Sequence, residues 1–239
     1  MATLHRLILA SSSLGRRALL TQAGYTFEVM PSHIDEHDGT GVTDPRKYVA
    51  ELAWQKAEAI SYQLSAVSQP TFPSPYRGEG LGVRGSSQVE AHPSPHLPLS
   101  TEQSAPSTLI LAADSTVWHH GQIIGKPVDE ADARRILGSL AGTTHELWTG
   151  VCLWRLEDGL QFCWQEKSDL YFRPLSADEL EYLIQSKVWE GKAGGYGIES
   201  VGDPYLTVVT GTVSNVIGLP VESLTILLRQ VAPDLIHQD

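Results

Sequence analysis

The sequence predicts an α/β protein built around a mixed β-sheet. Strand and helix patterns alternate along most of the chain, which is typical of parallel strands joined by helices. Two consecutive strand patterns are joined through Glu157-Asp158-Gly159, a sequence that favours a tight hairpin turn. Because a hairpin joins antiparallel strands, the sheet should contain both kinds of pairing.

The elements follow from hydrophobic periodicity and from helix start signals. Asp44-Pro45 and Asp129 each precede a helical pattern, since a carboxylate caps free N–H groups and proline lacks one. Ser176 and Glu179 form a capping box. The predicted strands are residues 4–10, 25–30, 108–118, 147–155, 160–172 and 206–210, and the predicted helices are 15–22, 44–65, 129–140, 176–186 and 220–230.

Composition and charge exclude several classes of protein. The 239 residues carry 17 Lys and Arg against 28 Asp and Glu, a formal charge of −11. Such a chain is a poor candidate for binding duplex nucleic acid, which requires cationic contacts to phosphates. The sequence lacks an apolar run of about 18 residues and a signal peptide, so we expect no membrane partner and a cytoplasmic location. Cys152 and Cys163 are too few for a disulfide scaffold.

One segment differs from the rest of the chain in composition. Residues 70–106 hold 7 of the 14 prolines and show neither helical nor strand periodicity. Such a segment buries too little apolar surface to offset the entropy of ordering it. We therefore predict a single domain over 1–239, interrupted by a disordered, exposed, proline-rich insertion at about 66–107.

Candidate ligand-binding groups follow the first strand. Ser11, Ser13 and Arg16 stand where this strand turns into a helix. Free N–H groups at a helix start, small hydroxyl residues and a forked cation together could hold a phosphate. The alternative is an N-capping serine followed by surface arginines.

Two charged residues lie in apolar patterns. Lys56 falls on the apolar stripe of its helix, so it either extends to solvent or meets a negative partner. Asp114 ends an almost wholly apolar strand run, where α/β sheets commonly place ligand sites. An unpaired buried carboxylate is costly, so Asp114 needs a metal, a cation or a helix N-terminus.

Three loops add further candidates. Ile34-Asp35-Glu36 could contribute a carboxylate to a divalent cation, or could be a solvated acidic turn. Lys126, between Gly125 and Pro127, could reach a phosphate although the sequence is no P-loop. The glycine-rich run 192–199 could bring its backbone close to a base or phosphate, or form simple turns. Clustered cations and carboxylates are what metal-assisted attack of water on a polyphosphate requires.

Through these residues and the motifs around them, the sequence resembles the Maf family of nucleoside triphosphate pyrophosphatases. The motifs occur in family order and cover the chain except for about 66–107. The matching runs are Leu7-Ile-Leu-Ala-Ser-x-Ser13 with Arg16-x-x-Leu-Leu20, Ile34-Asp-Glu36, Ala53-x-x-Lys56-Ala57, Ala113-Asp114-Ser115, Gly125-Lys-Pro127, His145 to Gly150, Lys192-Ala-Gly-x-Tyr-Gly-Ile198 and Ser214-Asn-Val-x-Gly-Leu-Pro220.

The resemblance implies an elongated mixed-sheet α/β fold related to inosine triphosphate pyrophosphatases. It also implies a cytoplasmic, often dimeric enzyme that cleaves a nucleoside triphosphate, noncanonical or surplus, to its monophosphate and pyrophosphate with Mg²⁺ or Mn²⁺. By the same resemblance, Asp114 is the proton acceptor and a metal ligand, and Glu36 is a second metal ligand. Arg16, Lys56 and Lys126 hold the triphosphate, supported by Ser11 and Ser13.

Positions 15, 115 and 199 are where the family varies with base specificity. Gly15 replaces a large side chain, and Ser115 and Glu199 differ from the residues usual in the pyrimidine-acting branch. The resemblance therefore leaves dTTP, UTP and a modified nucleotide open as substrates. The family's association with septum formation gives the alternative hypothesis, a nucleotide-binding regulator of cell division with little catalysis.

Overall fold

The fold is described from a computed structural model in which residues 4–35, 39–65, 107–198 and 202–236 are defined. Seven strands form one mixed sheet. They are β1 (His5–Leu9), β2 (Glu28–Val29), β3 (Ser107–His119), β4 (Gln122–Ile124), β5 (Thr144–Arg155), β6 (Gln161–Phe172) and β7 (Leu206–Thr210). The helices are α1 (Leu14–Gln22), α2 (Pro45–Leu64), α3 (Glu130–Leu140), α4 (Ala177–Gln185), α5 (Val213–Ile217) and α6 (Val221–Val231), with 3₁₀ turns at Ala193–Gly195 and Pro233–Leu235.

The sheet combines parallel and antiparallel pairing, as the sequence predicts. The strand order is β2-β1-β3-β5-β6-β7, and β4 pairs with β3. β1 is parallel to β2 and β3, whereas the β3–β5, β5–β6 and β6–β7 pairs are antiparallel. The predicted hairpin around Asp158 joins β5 to β6.

The helix start signals are confirmed. Asp44 and Asp129 cap α2 and α3 by accepting from the backbone N–H groups of Arg46 and Asp132. The Ser176 capping box is also complete. The strand predicted at 25–30 is wrong in extent, because only Glu28–Val29 pairs with β1. Helix α5 was not predicted, because five residues are too few to show helical periodicity.

The alternation of side chains along β1, β3 and β5 assigns them to two faces of the sheet. One face, with Ile110, Ala112 and Trp154, is covered by α2. The opposite face carries two separate apolar clusters. The first contains Leu111 and residues of α1 and α6, and the second contains Val117 and residues of α3 and α4. The gap between these clusters lies at Ser115 and its neighbours.

The two cysteines face each other across β5 and β6. Cys152 pairs in register with Cys163, and both are free thiols. Within the described residues, no helix has the length and apolar character needed to cross a membrane.

Candidate functional site

The site lies where β3 loses its neighbour on one side. Along its other side, β3 pairs with β5 without interruption from Leu109 to Trp118. On the first side, β1 pairs only as far as Leu111, and β4 begins to pair at Val117. Among the described residues, positions 112–116 therefore have no strand partner on that side. We call this interval the β3 opening, and Asp114 stands at its centre.

Asp114 forms a buried ion pair with Lys56. Its carboxylate Oδ1 accepts from Lys56 Nζ at 2.6 Å, and each side chain is only 10% exposed. Of the two alternatives for Lys56, extension to solvent is wrong and a negative partner is right. Because Asp114 points to the face of β3 that α2 covers, α2 delivers the ammonium to it directly.

Gly150 allows α2 to lie close enough for this contact. It is the β5 residue directly opposite Asp114. A Cβ atom at Gly150 would lie 2.3 Å from the carbonyl oxygen of Val49, far inside contact distance. The backbone of α2 therefore rests on β5 at this position. Helical side chains tilt toward the helix N-terminus, so the Lys56 side chain points toward the turn of α2 that contacts Gly150.

Arg16 approaches from the opposite face of the sheet. Its Nε donates to the carbonyl oxygen of Gly218 at 2.8 Å. Its two terminal nitrogens donate to the hydroxyls of Ser11 and Ser115, at 3.0 and 3.3 Å. The side chain is buried, and Arg17 beside it is exposed. The prediction that both arginines could be surface residues is thus wrong for Arg16.

The serine turn after β1 has the predicted form. The Ser13 hydroxyl caps α1 by accepting from the N–H of Arg16, at 3.4 Å. The N–H of Ser13 donates to the Ser11 hydroxyl at 3.2 Å. The turn thus begins where β1 stops pairing and holds the start of α1 beside the β3 opening.

The chain carrying Lys126 leaves β4 toward the same opening. β4 runs antiparallel to β3, so each residue after Ile124 continues in the direction of Ser115. Lys126 is exposed two residues further on. The glycine-rich run is attached here, since the N–H of Gly194 donates to the carbonyl oxygen of Gly125 at 3.0 Å. The segment that carries Lys126 and the glycine-rich run, which are distant in sequence, are therefore joined where β4 ends.

Gly15 lies against α5. A Cβ atom at this position would lie 2.8 Å from Ile217 Cγ2 and 3.3 Å from the Ile217 carbonyl oxygen. The close approach of α1 and α5 therefore depends on the absence of a side chain here. Glu36 and Glu199 lie outside the described residues. Within the described part of the chain, no three His, Cys, Asp or Glu side chains are grouped so as to hold a metal ion.

Sequence reasoning missed the residues that hold Arg16 in place. Thr149 is fully buried, bonds to the Ser115 hydroxyl at 2.9 Å and donates to the carbonyl oxygen of Asn215 at 3.2 Å. Asn215 and Gly218 flank the end of α5. The signal that could have found them is Thr149-Gly150 in an otherwise apolar strand, because a buried hydroxyl needs a partner.

Comparison with known families matches residues 6–231 to "Maf-like protein". A dTTP/UTP pyrophosphatase of Latilactobacillus sakei subsp. sakei (strain 23K) is 34% identical over 222 residues, which cover 93% of this chain and 98% of the relative. One from Anaeromyxobacter sp. (strain Fw109-5) is 33% identical, covering 96% and 91%. One from Bacillus cereus (strain AH820) is 30% identical, covering 98% and 100%. These matches show that the chain belongs to the Maf family.

Proposed function

We propose that this protein is a nucleoside triphosphate pyrophosphatase acting on dTTP or UTP. Its relatives named above are dTTP/UTP pyrophosphatases. The observation that carries the proposal is the Asp114–Lys56 ion pair at the β3 opening, with Arg16 approaching from the other face of the sheet. A carboxylate paired with one cation, with a second cation bound to the next residue of the same strand, suits a reaction in which water is activated beside a polyanion.

In the proposed reaction, water attacks the α-phosphorus and the bond to the bridging oxygen of the β-phosphate breaks. The products are a nucleoside monophosphate, pyrophosphate and a proton, and Asp114 accepts that proton. Lys56 occupies Asp114 Oδ1, so the ammonium orients the carboxylate and leaves Oδ2 to face the water. Arg16, Lys56 and Lys126 hold the triphosphate and the leaving pyrophosphate, with Ser11 and Ser13 supporting the turn beside it.

A divalent metal ion, Mg²⁺ or Mn²⁺, fits this donor set. Mg²⁺ is commonly held by one or two carboxylates together with phosphate oxygens and water. We assign Asp114 and Glu36 as the protein's carboxylate ligands. When bound, the ion would neutralise phosphate charge as the leaving group departs. We also propose a homodimer located in the cytoplasm.

We assign specificity for the nucleotide base to Gly15, Ser115 and Glu199. The absence of a side chain at Gly15 brings α1 against Ile217. Ser115 contacts the side chain of Arg16, which extends from α1. The regulator hypothesis is not favoured, because the relatives of this chain are named as enzymes.

The test is release of pyrophosphate from a panel of nucleoside triphosphates with Mg²⁺ or Mn²⁺. Asp114→Asn should fold normally and lose about 100-fold or more in kcat, which is the usual contribution of a general base. Asp158→Asn is the matched control, because this carboxylate pairs with Arg155 on the exposed hairpin. Turnover of no nucleotide by folded protein would reject the enzyme. Release of orthophosphate would indicate a different phosphatase, and near-normal turnover by Asp114→Asn would reject Asp114 as the base.

A further inference from the structure

The row of polar groups between the two apolar clusters has a fixed hydrogen-bond direction. The carbonyl oxygen of Asn215 can only accept, so the single hydroxyl proton of Thr149 is used there, at 3.2 Å. The Ser115 hydroxyl must then be the donor in its 2.9 Å contact with Thr149. With its proton directed to Thr149, Ser115 presents a lone pair to the Arg16 guanidinium, at 3.3 Å.

This order couples Arg16 to α5 by two routes. The direct route is the hydrogen bond from Arg16 Nε to the carbonyl oxygen of Gly218, at 2.8 Å. The indirect route passes through Ser115 and Thr149 to the carbonyl oxygen of Asn215. Chains of hydrogen bonds in a buried setting polarise one another, and Thr149 is completely shielded from solvent. The guanidinium is thereby held at both ends.

We propose that Thr149 is a positioning residue that holds Arg16 in its phosphate-binding orientation by fixing the direction of the Ser115 hydroxyl. This inference rests on the proposed function, because it takes the polyphosphate as the group that Arg16 binds. Thr149 itself faces Ser115 and α5, and it acts on the ligand only through Arg16. Loss of its hydroxyl frees Ser115 to direct a proton at the guanidinium.

The test measures binding of inorganic tripolyphosphate by calorimetry, so it does not depend on turnover. Thr149→Val keeps the side-chain shape and should raise the Kd for tripolyphosphate by about five- to tenfold, the usual effect of one lost hydrogen bond. Thr149→Ser keeps the hydroxyl and should stay within about twofold of wild type. Thr143→Val is the matched control, because its hydroxyl donates to the carbonyl oxygen of Leu140, away from Arg16.

A double-mutant cycle separates positioning from a merely structural role. In an Arg16→Ala background, Thr149→Val should have no further effect on the Kd. Ser115→Ala provides the same test at a partly exposed position, should Thr149→Val not fold. If Thr149→Val lowers the affinity for tripolyphosphate equally with and without Arg16, or leaves the Kd unchanged, this inference is overturned while the proposed function stands. A wild-type protein that binds no tripolyphosphate would overturn the proposed function with it.

An independent inference concerns the cysteines. In antiparallel pairs, hydrogen-bonded and non-hydrogen-bonded positions alternate, and the latter bring side chains closer. At one end of the β5–β6 pair, the N–H of Arg155 donates to the carbonyl oxygen of Leu160, and at the other the N–H of Phe172 donates to that of Thr143. Both ends place the hydrogen-bonded positions at odd-numbered residues of β5. The Cys152–Cys163 pair is therefore non-hydrogen-bonded, and its sulfurs lie 3.2 Å apart.

The geometry points to an oxidation site at this pair, at which hydroperoxides convert the two thiols into a cross-strand disulfide. Non-hydrogen-bonded partners have the Cα spacing that a disulfide requires. Cys163 is only partly buried, whereas Cys152 is fully buried. Hydrogen peroxide oxidises the Cys163 thiol to a sulfenic acid with release of water. Cys152 then forms the S–S bond with release of a second water.

The hydrogen bond with Cys163 and burial raise the pKa of Cys152, so the second step should accelerate with rising pH. Hydrogen peroxide should remove the mass of two hydrogen atoms from the intact chain and yield a peptide pair linked through Cys152 and Cys163. Cys163→Ser should show neither change. Two thiols that remain alkylatable after unfolding, or Cys163 oxidised further with Cys152 free, would overturn this inference.

Discussion

Replacing Gly150 by alanine tests whether the contact between α2 and β5 sets the Asp114–Lys56 pair. The new Cβ would lie 2.3 Å from the Val49 carbonyl oxygen and 2.7 Å from the Ala50 nitrogen, which are backbone atoms without rotamers to adjust. Relief requires α2 to move away by about 1 Å. Such overpacking costs about 1–3 kcal/mol of unfolding free energy. The same shift would lengthen the 2.6 Å contact between Lys56 and Asp114 toward the limit of a hydrogen bond.

Misplacement of reacting groups by about 1 Å can lower turnover by about 100-fold. We therefore expect Gly150→Ala to lower both stability in urea unfolding and the rate of pyrophosphate release. Gly138→Ala is the matched control, because Gly138 lies in the interior of α3 with no atom within 4 Å of an added Cβ. It should raise stability by up to about 1 kcal/mol and leave turnover unchanged. Normal stability in Gly150→Ala would refute the packing argument, and reduced stability with normal turnover would refute the link to Lys56.

Three further predictions concern pH, the guanidinium and the proline-rich segment. Burial, aided by the nearby His119, lowers the pKa of His145 from 6.5 to about 4. Unfolding then takes up a proton between these values, so stability is complete above about pH 6.5 and falls by up to about 3 kcal/mol as the pH drops to 4. His145→Gln should flatten this part of the pH–stability curve, and an unchanged curve would contradict the assignment. Arg16→Lys should raise KM about tenfold or more, because one ammonium cannot reproduce three forked contacts; kinetics with an unchanged KM would count against it. Replacing residues 66–106 by a short Gly-Ser linker should keep kcat within about twofold, and a large loss would indicate a role for the segment.

The sequence was sufficient for the parts of the fold that local chemistry determines. The caps at Asp44, Asp129 and Ser176 depend on residues three or fewer positions away, and each helix begins where its cap predicts. For Lys56, the sequence left two alternatives open: extension to solvent or contact with a negatively charged partner. Deciding between them required the position of α2 over β3, which depends on packing at Gly150 rather than on any local pattern.

The position of the Arg16 side chain could not be predicted from the sequence, because it depends on residues distant in the chain. Its Nε contact with Gly218 joins residues 202 positions apart. That contact depends on α5, whose five residues are stabilised by a Thr212 cap and a left-handed Gly218 rather than by an apolar stripe. Motif order indicated that these segments belong together, but the direction of the Ser115 and Thr149 hydroxyls follows only from the donors and acceptors around them.

The helix and the strand that flank residues 66–106 hold their ends away from the Asp114–Lys56 ion pair. α2 ends at Leu64, eight residues beyond Lys56, and β3 begins at Ser107, seven residues before Asp114. At about 1.5 Å per helical residue and 3.3 Å per strand residue, these ends lie about 12 and 23 Å along their elements from the ion pair. Leu64 packs against the cluster that also receives Leu156, whose N–H donates to the carbonyl oxygen of Thr108. Leu64 and Leu156 therefore pack on the same face of the sheet, and β3 pairs with β1 before it reaches the opening. Along α2 and β3, the points at which residues 66–106 are attached are therefore well separated from the groups around Asp114.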